Sequence, residues 1–224
     1  MVKLQRSSAR AWGYFFLVAF TAIFALVASG VLQPLDVKAF ILVNERWNVP
    51  ALNAFFIYAS RYGRSYFWIP VVFFAWVLGG DKYKRGALMM AIAFLIIIAV
   101  GLTLKAVYFR PRPFLVISTA RVLMARPSDS SFPSGHSLIV FGGATIALLF
   151  SKRRYSVPLL GEAILVSYSR VYVGLHYPSD VVAGALLGSS IALLVYGFGN
   201  NVSWFEDLYR VVSSVYYGLL SFFS

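Results

Sequence analysis

The only two histidines of this 224-residue chain, His136 and His176, lie in short polar segments between long apolar runs. Asp180 follows His176 by four residues, a spacing that lets its carboxylate hold one imidazole nitrogen and leaves the other as a nucleophile or base. His136 can then act as the acid that protonates a leaving alkoxide. Two histidines with separate roles, one of them oriented by an aspartate, are typical of phosphoryl transfer through a phosphohistidine.

The polar segments, residues 105–113, 130–137 and 169–180, also supply cations with few acids beside them. These cations are Lys105, Arg110, Arg112 and Arg170. Guanidinium groups bind phosphate oxygens in a bidentate manner, so the group favours a phosphate ligand. Pro133 is suited to the first position of a helix whose free N–H groups would face the same anion. Gly135 has no side chain and therefore permits the ligand to approach the backbone closely.

The composition places these segments in a membrane protein. Hydrophobic residues make up 60% of the chain and charged residues 12%, whereas charged residues are roughly 25% of a soluble domain. A formal charge of +12 would suggest nucleic acid in a soluble protein. Here the basic residues form short clusters between apolar runs, which favours membrane topology and an anionic ligand, with no nucleic acid. The absence of cysteine excludes disulfides, thiolate chemistry and Cys-ligated metals.

The apolar runs predict an all-α integral membrane protein, a six-transmembrane-helix bundle formed by a single domain over residues 1–224. The predicted spans are 12–31, 66–79, 87–104, 138–150, 157–173 and 181–197. Residues 33–64 are too polar for a span and too apolar for a solvated loop, which favours a lid-like or interfacial helix and a second short helix over 51–59. Residues 114–131 are polar enough to be a loop. Gly184 and Gly188 form a G-x-x-x-G pattern that permits close packing of the last span.

The dense basic clusters at residues 81–85 and 151–154 mark one side of the membrane as cytoplasmic by the positive-inside rule. With six spans, both termini share that side, and the three polar segments come together at the extracytoplasmic face of a multi-pass cell-membrane protein. Residues 202–224 place apolar side chains at helical spacing. They predict an amphipathic helix lying on the membrane, and a short re-entrant segment or seventh span is the alternative.

Three spaced motifs within residues 105–180 resemble the signature of the type 2 phosphatidic acid phosphatase family, which shares its site with the vanadium haloperoxidases. The motifs are Lys105-x6-Arg112-Pro113, Pro133-Ser134-Gly135-His136 and Ser169-Arg170-x5-His176-x3-Asp180. The resemblance implies His176 as the nucleophile, His136 as the general acid and Asp180 as the partner that orients His176. It also implies a metal-independent hydrolase without a cofactor, and a set of phosphate ligands formed by Lys105, Arg112, Ser134, Gly135 and Arg170.

The resemblance further implies a lipid phosphate or diphosphate that enters sideways from the bilayer. The compact chain is similar to prokaryotic members that dephosphorylate polyprenyl diphosphates of the undecaprenyl or dolichyl type and so recycle glycan carrier lipids. Phosphatidic acid, phosphatidylglycerophosphate or a broad range of lipid phosphates are the alternative substrates. Arg110, Arg121 and Arg126 are candidates to hold a second phosphate, and the sequence indicates no oligomeric state.

Two other classes of protein and one residue complete the set of hypotheses. A vanadate-dependent haloperoxidase would need bound vanadate and fits poorly with six spans, and a non-catalytic lipid transporter would not need His176. Glu162 lies inside a predicted span, where a carboxylate is a functional hypothesis by default. It either supports Arg170 from two turns away on the same helix or is a structural glutamate that faces a neighbouring helix.

Overall fold

A computed structural model describes residues 4–199 and 202–222, and these residues form helices and connecting segments without a strand. The helices in chain order are α1 (Arg6–Ala28), α2 (Gln33–Ile41), α3 (Asn53–Tyr62), α4 (Ser65–Val77), α5 (Asp81–Val107), α6 (Pro113–Val116), α7 (Gly135–Phe150), α8 (Arg153–Tyr172), α9 (Pro178–Gly199) and α10 (Ser203–Phe222). The all-α prediction is therefore confirmed.

Three of the described helices, α1, α5 and α9, are long and apolar enough to cross a membrane. Helices α4 and α7 are apolar but shorter. At 1.5 Å per residue, the 16 residues of α7 extend about 24 Å, which is less than the roughly 30 Å of the hydrocarbon core. Helix α8 carries Glu162 and Arg170 inside its length, which lowers its hydropathy. The membrane character is confirmed, and the count of six spans stays a prediction.

Helix α7 lies at the centre of the bundle and packs against α5, α8 and α9. Its closest approach to α9 occurs at the two glycines of the G-x-x-x-G pattern. A Cβ atom on Gly188 would lie 2.2 Å from the carbonyl oxygen of Leu138, and one on Gly184 would lie 2.7 Å from that of Ser134. The glycines thus let the backbone of α9 contact the first turn of α7, which contains His136.

The segment over residues 33–64 is helical in two parts, as its composition predicted. Helix α2 continues into a π-helical turn at Leu42–Arg46, and a 3-10 turn at Pro50–Leu52 leads into α3, which includes most of the predicted short helix. Both parts contact the end of the bundle that holds the polar segments. Asn44 donates hydrogen bonds to the carbonyl oxygens of Tyr172 and Arg121 at 2.8 and 2.9 Å, so this segment covers the turn after α8.

Most helix boundaries differ from the predicted spans by a few residues, and two of the differences concern the polar segments. The segment predicted as a loop over 114–131 begins within the short helix α6. Helix α7 begins at Gly135 with Ser134 as its N-cap, and not at Pro133. Because Ser134 donates its backbone N–H to the carbonyl oxygen of Asp180 at 3.0 Å, the chain stays extended until it has made this contact with α9.

Helix α10 packs on the basic cluster at the start of α5. Arg85 pairs with Glu206 at 2.6 Å, and Lys84 donates a hydrogen bond to the hydroxyl of Tyr217 at 2.8 Å. Phe205 is fully buried, while residues such as Val211 and Val215 on other parts of the helix are exposed. These contacts place α10 at the end of the bundle opposite the polar segments, in agreement with an amphipathic helix, and its placement relative to the bilayer stays a prediction.

Candidate active site

His176 lies in the turn between α8 and α9, and only 2% of it is exposed. Its Nδ1 atom is 3.4 Å from Oδ2 of Asp180, which also accepts the backbone N–H of Tyr177 at 2.9 Å. Pro178 begins α9, so the four-residue spacing turns the carboxylate back toward the imidazole. The 3.4 Å separation is longer than an ordinary hydrogen bond, and catalytic hydrogen bonds often tighten only when substrate binds.

The other imidazole nitrogen faces the cations. Nε2 of His176 is 3.3 Å from Nη1 of Arg112, whose guanidinium also donates to the carbonyl oxygen of Leu175 at 2.8 Å. Burial, followed by the charges of Arg112, Arg170 and Lys105, lowers the pKa of His176 well below its usual value. The imidazole is therefore neutral at neutral pH and keeps a lone pair on the side that faces Arg112.

Lys105 and Arg112 share one carboxylate, that of Asp129. Lys105 Nζ is 2.9 Å from Oδ2 of Asp129, and Arg112 Nη2 is 2.6 Å from Oδ1. Burial alone would raise the pKa of Asp129, but hydrogen bonds and charge from Lys105 and Arg112 hold it at about 2. Sequence reasoning missed this acid, although it directly precedes the segment that contains His136. A carboxylate thus bridges two of the predicted phosphate ligands.

The first turn of α7 brings Ser134, Gly135 and His136 to the same place. The Ser134 side chain is fully buried, and its hydroxyl has no hydrogen-bond partner in the part of the chain that the structure describes. The first N–H groups of α7 have no partner within the helix, as at every helix N-terminus. The imidazole of His136 is hydrogen-bonded to the backbone of Ser60 and lies near the charges of Arg170 and Arg64. These groups offer several donors to one anion.

Arg170 lies on α8 and is buried, and its Nη1 donates to the hydroxyl of Ser60 on α3 at 2.5 Å. Its Nε has no partner among the described residues. Glu162, two turns earlier on α8, accepts a hydrogen bond from the indole of Trp68 on α4 at 3.1 Å. The Glu162 and Arg170 side chains thus contact different helices, α4 and α3, and a supporting role of Glu162 for Arg170 stays a prediction. The structural alternative, a glutamate that faces a neighbouring helix, agrees with the observed contact.

Arg110 forms a buried ion-pair network instead of contacting the open part of the site. Its guanidinium lies 2.5 Å from Oδ1 of Asp180 and 2.7 Å from Oδ2 of Asp36, an almost fully buried acid on α2. Ser179 also donates its backbone N–H to Asp36 at 2.9 Å. Because its two terminal nitrogens, Nη1 and Nη2, pair with Asp180 and Asp36, Arg110 has no free pair of donors for a second phosphate. Arg110 holds the Oδ1 atom of Asp180, while Oδ2 lies near His176. The sequence analysis did not connect Asp36 with either residue.

The other two candidates for a second phosphate, Arg121 and Arg126, lie on the 117–134 loop and are exposed. The guanidinium of Arg126 stacks over the ring of Phe114 at 5.5 Å. Arg121 is held through its backbone by Asn44. The structure thus brings together the predicted residues of all three motifs, and it does not gather the predicted second-phosphate group.

Comparison with known proteins agrees with this geometry. Residues 86–204 match the model of the PAP2 superfamily. An undecaprenyl-diphosphatase of Sulfolobus acidocaldarius is 42% identical over 71% of this chain and 76% of its own length, and the undecaprenyl-diphosphatase BcrC of Bacillus subtilis is 32% identical over 59% and 68%. The crystal structure of a transmembrane PAP2-type phosphatidylglycerolphosphate phosphatase from Bacillus subtilis superposes with a TM-score of 0.67, at 25% identity, over 85% of this chain and 97% of that one. The chain is therefore a membrane protein that belongs to the PAP2 superfamily.

Proposed function

We propose that this protein hydrolyses a polyprenyl diphosphate of the bilayer to the monophosphate through a phosphohistidine, and so recycles a glycan carrier lipid. The observation that carries the proposal is the position of the buried His176 imidazole, with Nε2 3.3 Å from Arg112 and Nδ1 3.4 Å from Asp180. The 42% identity to an undecaprenyl-diphosphatase supports the choice of lipid.

In the first step, Nε2 of His176 attacks the terminal phosphorus, and the bond from that phosphorus to the bridging oxygen breaks. His136 donates its proton to the bridging oxygen, so the lipid leaves as a monophosphate. Asp180, held by Arg110, stabilises the positive charge that develops on the imidazole. Lys105, Arg112 and Arg170 stabilise the charge on the transferring phosphoryl group, together with Ser134 and the N–H groups after it.

In the second step, His136 accepts a proton from a water molecule that attacks the phosphohistidine. The bond between phosphorus and Nε2 breaks, inorganic phosphate is released, and His176 returns to its neutral form. Asp129 pairs with Lys105 and Arg112, so a phosphate that binds these two cations must take its place. The proposal assigns one domain, residues 1–224, to this reaction, with the site on the extracytoplasmic side and both termini in the cytoplasm. The contact of α10 with the basic cluster at 81–85, at the opposite end from the site, supports that orientation.

The second candidate function is a phosphatase of glycerolipid phosphates. The structural likeness to a phosphatidylglycerolphosphate phosphatase over 85% of the chain favours it. Both candidates use the same residues and differ in the group that leaves with His136's proton. The leaving group is a phosphate in the first case and an alcohol in the second.

The test is phosphate release by detergent-purified protein in EDTA from three substrates: a polyprenyl diphosphate, a polyprenyl monophosphate and phosphatidic acid. We expect the diphosphate to be preferred, and we expect His176→Ala to abolish release from all three. If phosphatidic acid is used equally well or better, the proposed mechanism stands and the proposed substrate is wrong. No release from any of them by the wild-type protein would contradict the proposed function itself.

A further inference from the structure

A diphosphate substrate places a second phosphate beside the first, and the residues described above leave it without a cation. Lys105, Arg112 and Arg170 surround His176 and belong to the terminal phosphate. Arg110 is held by two carboxylates, and Arg126 stacks on Phe114. The second phosphate must lie on the leaving-group side, next to His136, because His136 protonates the oxygen that bridges the two phosphates.

Arg64 lies on this side of the site. It connects α3 with α4, and its Nη1 is 4.0 Å from the point that a Cβ atom on Gly135 would occupy. Its charge also acts electrostatically on His136 and on Arg170. In the sequence, Arg64 lies at the end of the polar segment 33–64, and no motif there indicates a role in the site. The fold brings it against the first turn of α7.

Arg64 also has no acid to neutralise it. No carboxylate pairs with its guanidinium within residues 4–199 and 202–222, whereas Lys105, Arg110 and Arg112 each have at least one. Partial burial lowers the pKa of Arg64, and no neighbouring acid opposes that effect. Arg64 nevertheless stays exposed to solvent, so its guanidinium remains charged and can bind an anion beside Arg170.

The space in front of Arg64 has a polar end and an apolar wall, as a lipid diphosphate requires. Arg64 and Ser65 border a cavity of about 320 Å³, whose other polar lining residues are Lys105 and Asp129. The rest of its lining is apolar and comes from α5 and α7, and it includes Gly135 and the side chains of Ile97, Ile98, Leu102, Leu138 and Ile139. Ile98 and Leu102 are half or more exposed on the outer surface of α5. The cavity therefore leads from the cations to a surface that faces the bilayer.

We propose that Arg64 binds the lipid-linked phosphate of the substrate and makes the enzyme prefer diphosphates over monophosphates. The proposal rests on the proposed function and names a specificity-determining residue for it. When the bond to the terminal phosphorus breaks, the lipid-linked phosphate gains negative charge, and the guanidinium of Arg64 stabilises it through charge-assisted hydrogen bonds. With a monophosphate substrate the leaving group is an alcohol, so Arg64 has no phosphate to bind.

The kinetic test compares wild type, Arg64→Gln and Arg64→Lys with a polyprenyl diphosphate and the matching monophosphate. We expect Arg64→Gln to lower kcat/KM for the diphosphate about 10- to 100-fold and for the monophosphate less than about threefold. Arg64→Lys keeps the charge and loses the bidentate geometry, so it restores part of the loss. The matched control is Arg61→Gln, which removes an exposed arginine one turn earlier and should change neither substrate. An equal loss on both substrates, or no loss on the diphosphate, would overturn the proposal.

A binding measurement separates this proposal from the proposed function. Methylenebisphosphonate and inorganic phosphate are titrated calorimetrically into the detergent-purified protein. Arg64→Gln should weaken bisphosphonate binding about tenfold or more and leave phosphate binding within about twofold. Unchanged bisphosphonate affinity would refute the role of Arg64 even if the wild-type protein is an active phosphatase. Conversely, a selective loss of bisphosphonate binding in Arg64→Gln would support the role of Arg64 even if the enzyme fails to hydrolyse polyprenyl diphosphate. If the wild-type protein binds neither bisphosphonate nor phosphate, both proposals are overturned.

Discussion

The carboxylate of Asp129 pairs with Lys105 and Arg112, two cations that the substrate phosphate needs. This contact predicts the effect of removing the charge of Asp129. The carboxylate bridges Lys105 at 2.9 Å and Arg112 at 2.6 Å, and a phosphate that enters the site must displace it from both. Asp129→Asn keeps the size of the side chain and removes the competing charge. We therefore expect the variant to bind anions more tightly, and we expect lower values of KM and of the inhibition constant for inorganic phosphate.

The size of the effect follows from the pKa of Asp129. Its lowering from 3.8 to about 2 corresponds to about 2.4 kcal/mol in favour of the ionised carboxylate. The Asp129 side chain is 52% exposed, so solvent screening reduces this to about 1 kcal/mol. That energy is equivalent to about a fivefold change in affinity. Arg112 keeps its bond to the Asp129 carbonyl oxygen in the variant, which limits the change in its position.

The assay is phosphate release at increasing concentrations of added inorganic phosphate, at several pH values between 5 and 9. The interaction of ionised Asp129 is present above pH 4 and is lost only as pH falls toward about 2. The difference between the variant and wild type should therefore be independent of pH in this range. Asp207→Asn, an exposed acid on α10, is the control for loss of one negative charge. An unchanged or weaker inhibition by phosphate in Asp129→Asn would refute the competition.

Three further predictions test the mechanism and the packing. Because burial and neighbouring cations lower the pKa of His176, the acidic limb of the pH profile of kcat/KM should lie below pH 6.5, and a limb at or above 6.5 would contradict a neutral, buried nucleophile. Gly188→Val would place a Cβ atom 2.2 Å from the carbonyl oxygen of Leu138, so it should lower the free energy of unfolding by about 1–3 kcal/mol; thermal unfolding measures this, with Gly161→Ala, where a Cβ meets no neighbour within 4 Å, as the control. Glu162→Gln keeps an acceptor for the indole of Trp68 and should retain wild-type kcat, whereas a tenfold loss in a stably folded variant would support its link to Arg170.

Several features of this protein follow from the sequence because they depend on local spacing. His176 and Asp180 are close because Pro178 begins a helix between them, and the four-residue spacing then brings the carboxylate back to the imidazole. Gly184 and Gly188 are also four residues apart, so they lie on one face of α9. That face makes a close backbone contact with α7. The apolar runs predict helices in a membrane because a bilayer requires internal satisfaction of every backbone hydrogen bond.

Contacts between residues distant in the chain were decided by the tertiary structure. Asp36 and Arg110 are 74 residues apart, and no local pattern distinguishes this pair from the other acids and bases of the chain. Their placement converts Arg110 from a phosphate ligand into the partner of Asp180. Packing of α3 and α4 against α7 and α8 likewise places Arg64 beside the first turn of α7 and brings Glu162 into contact with Trp68. Sequence periodicity shows which face of a helix is polar, and only the packing of helices determines what that face meets.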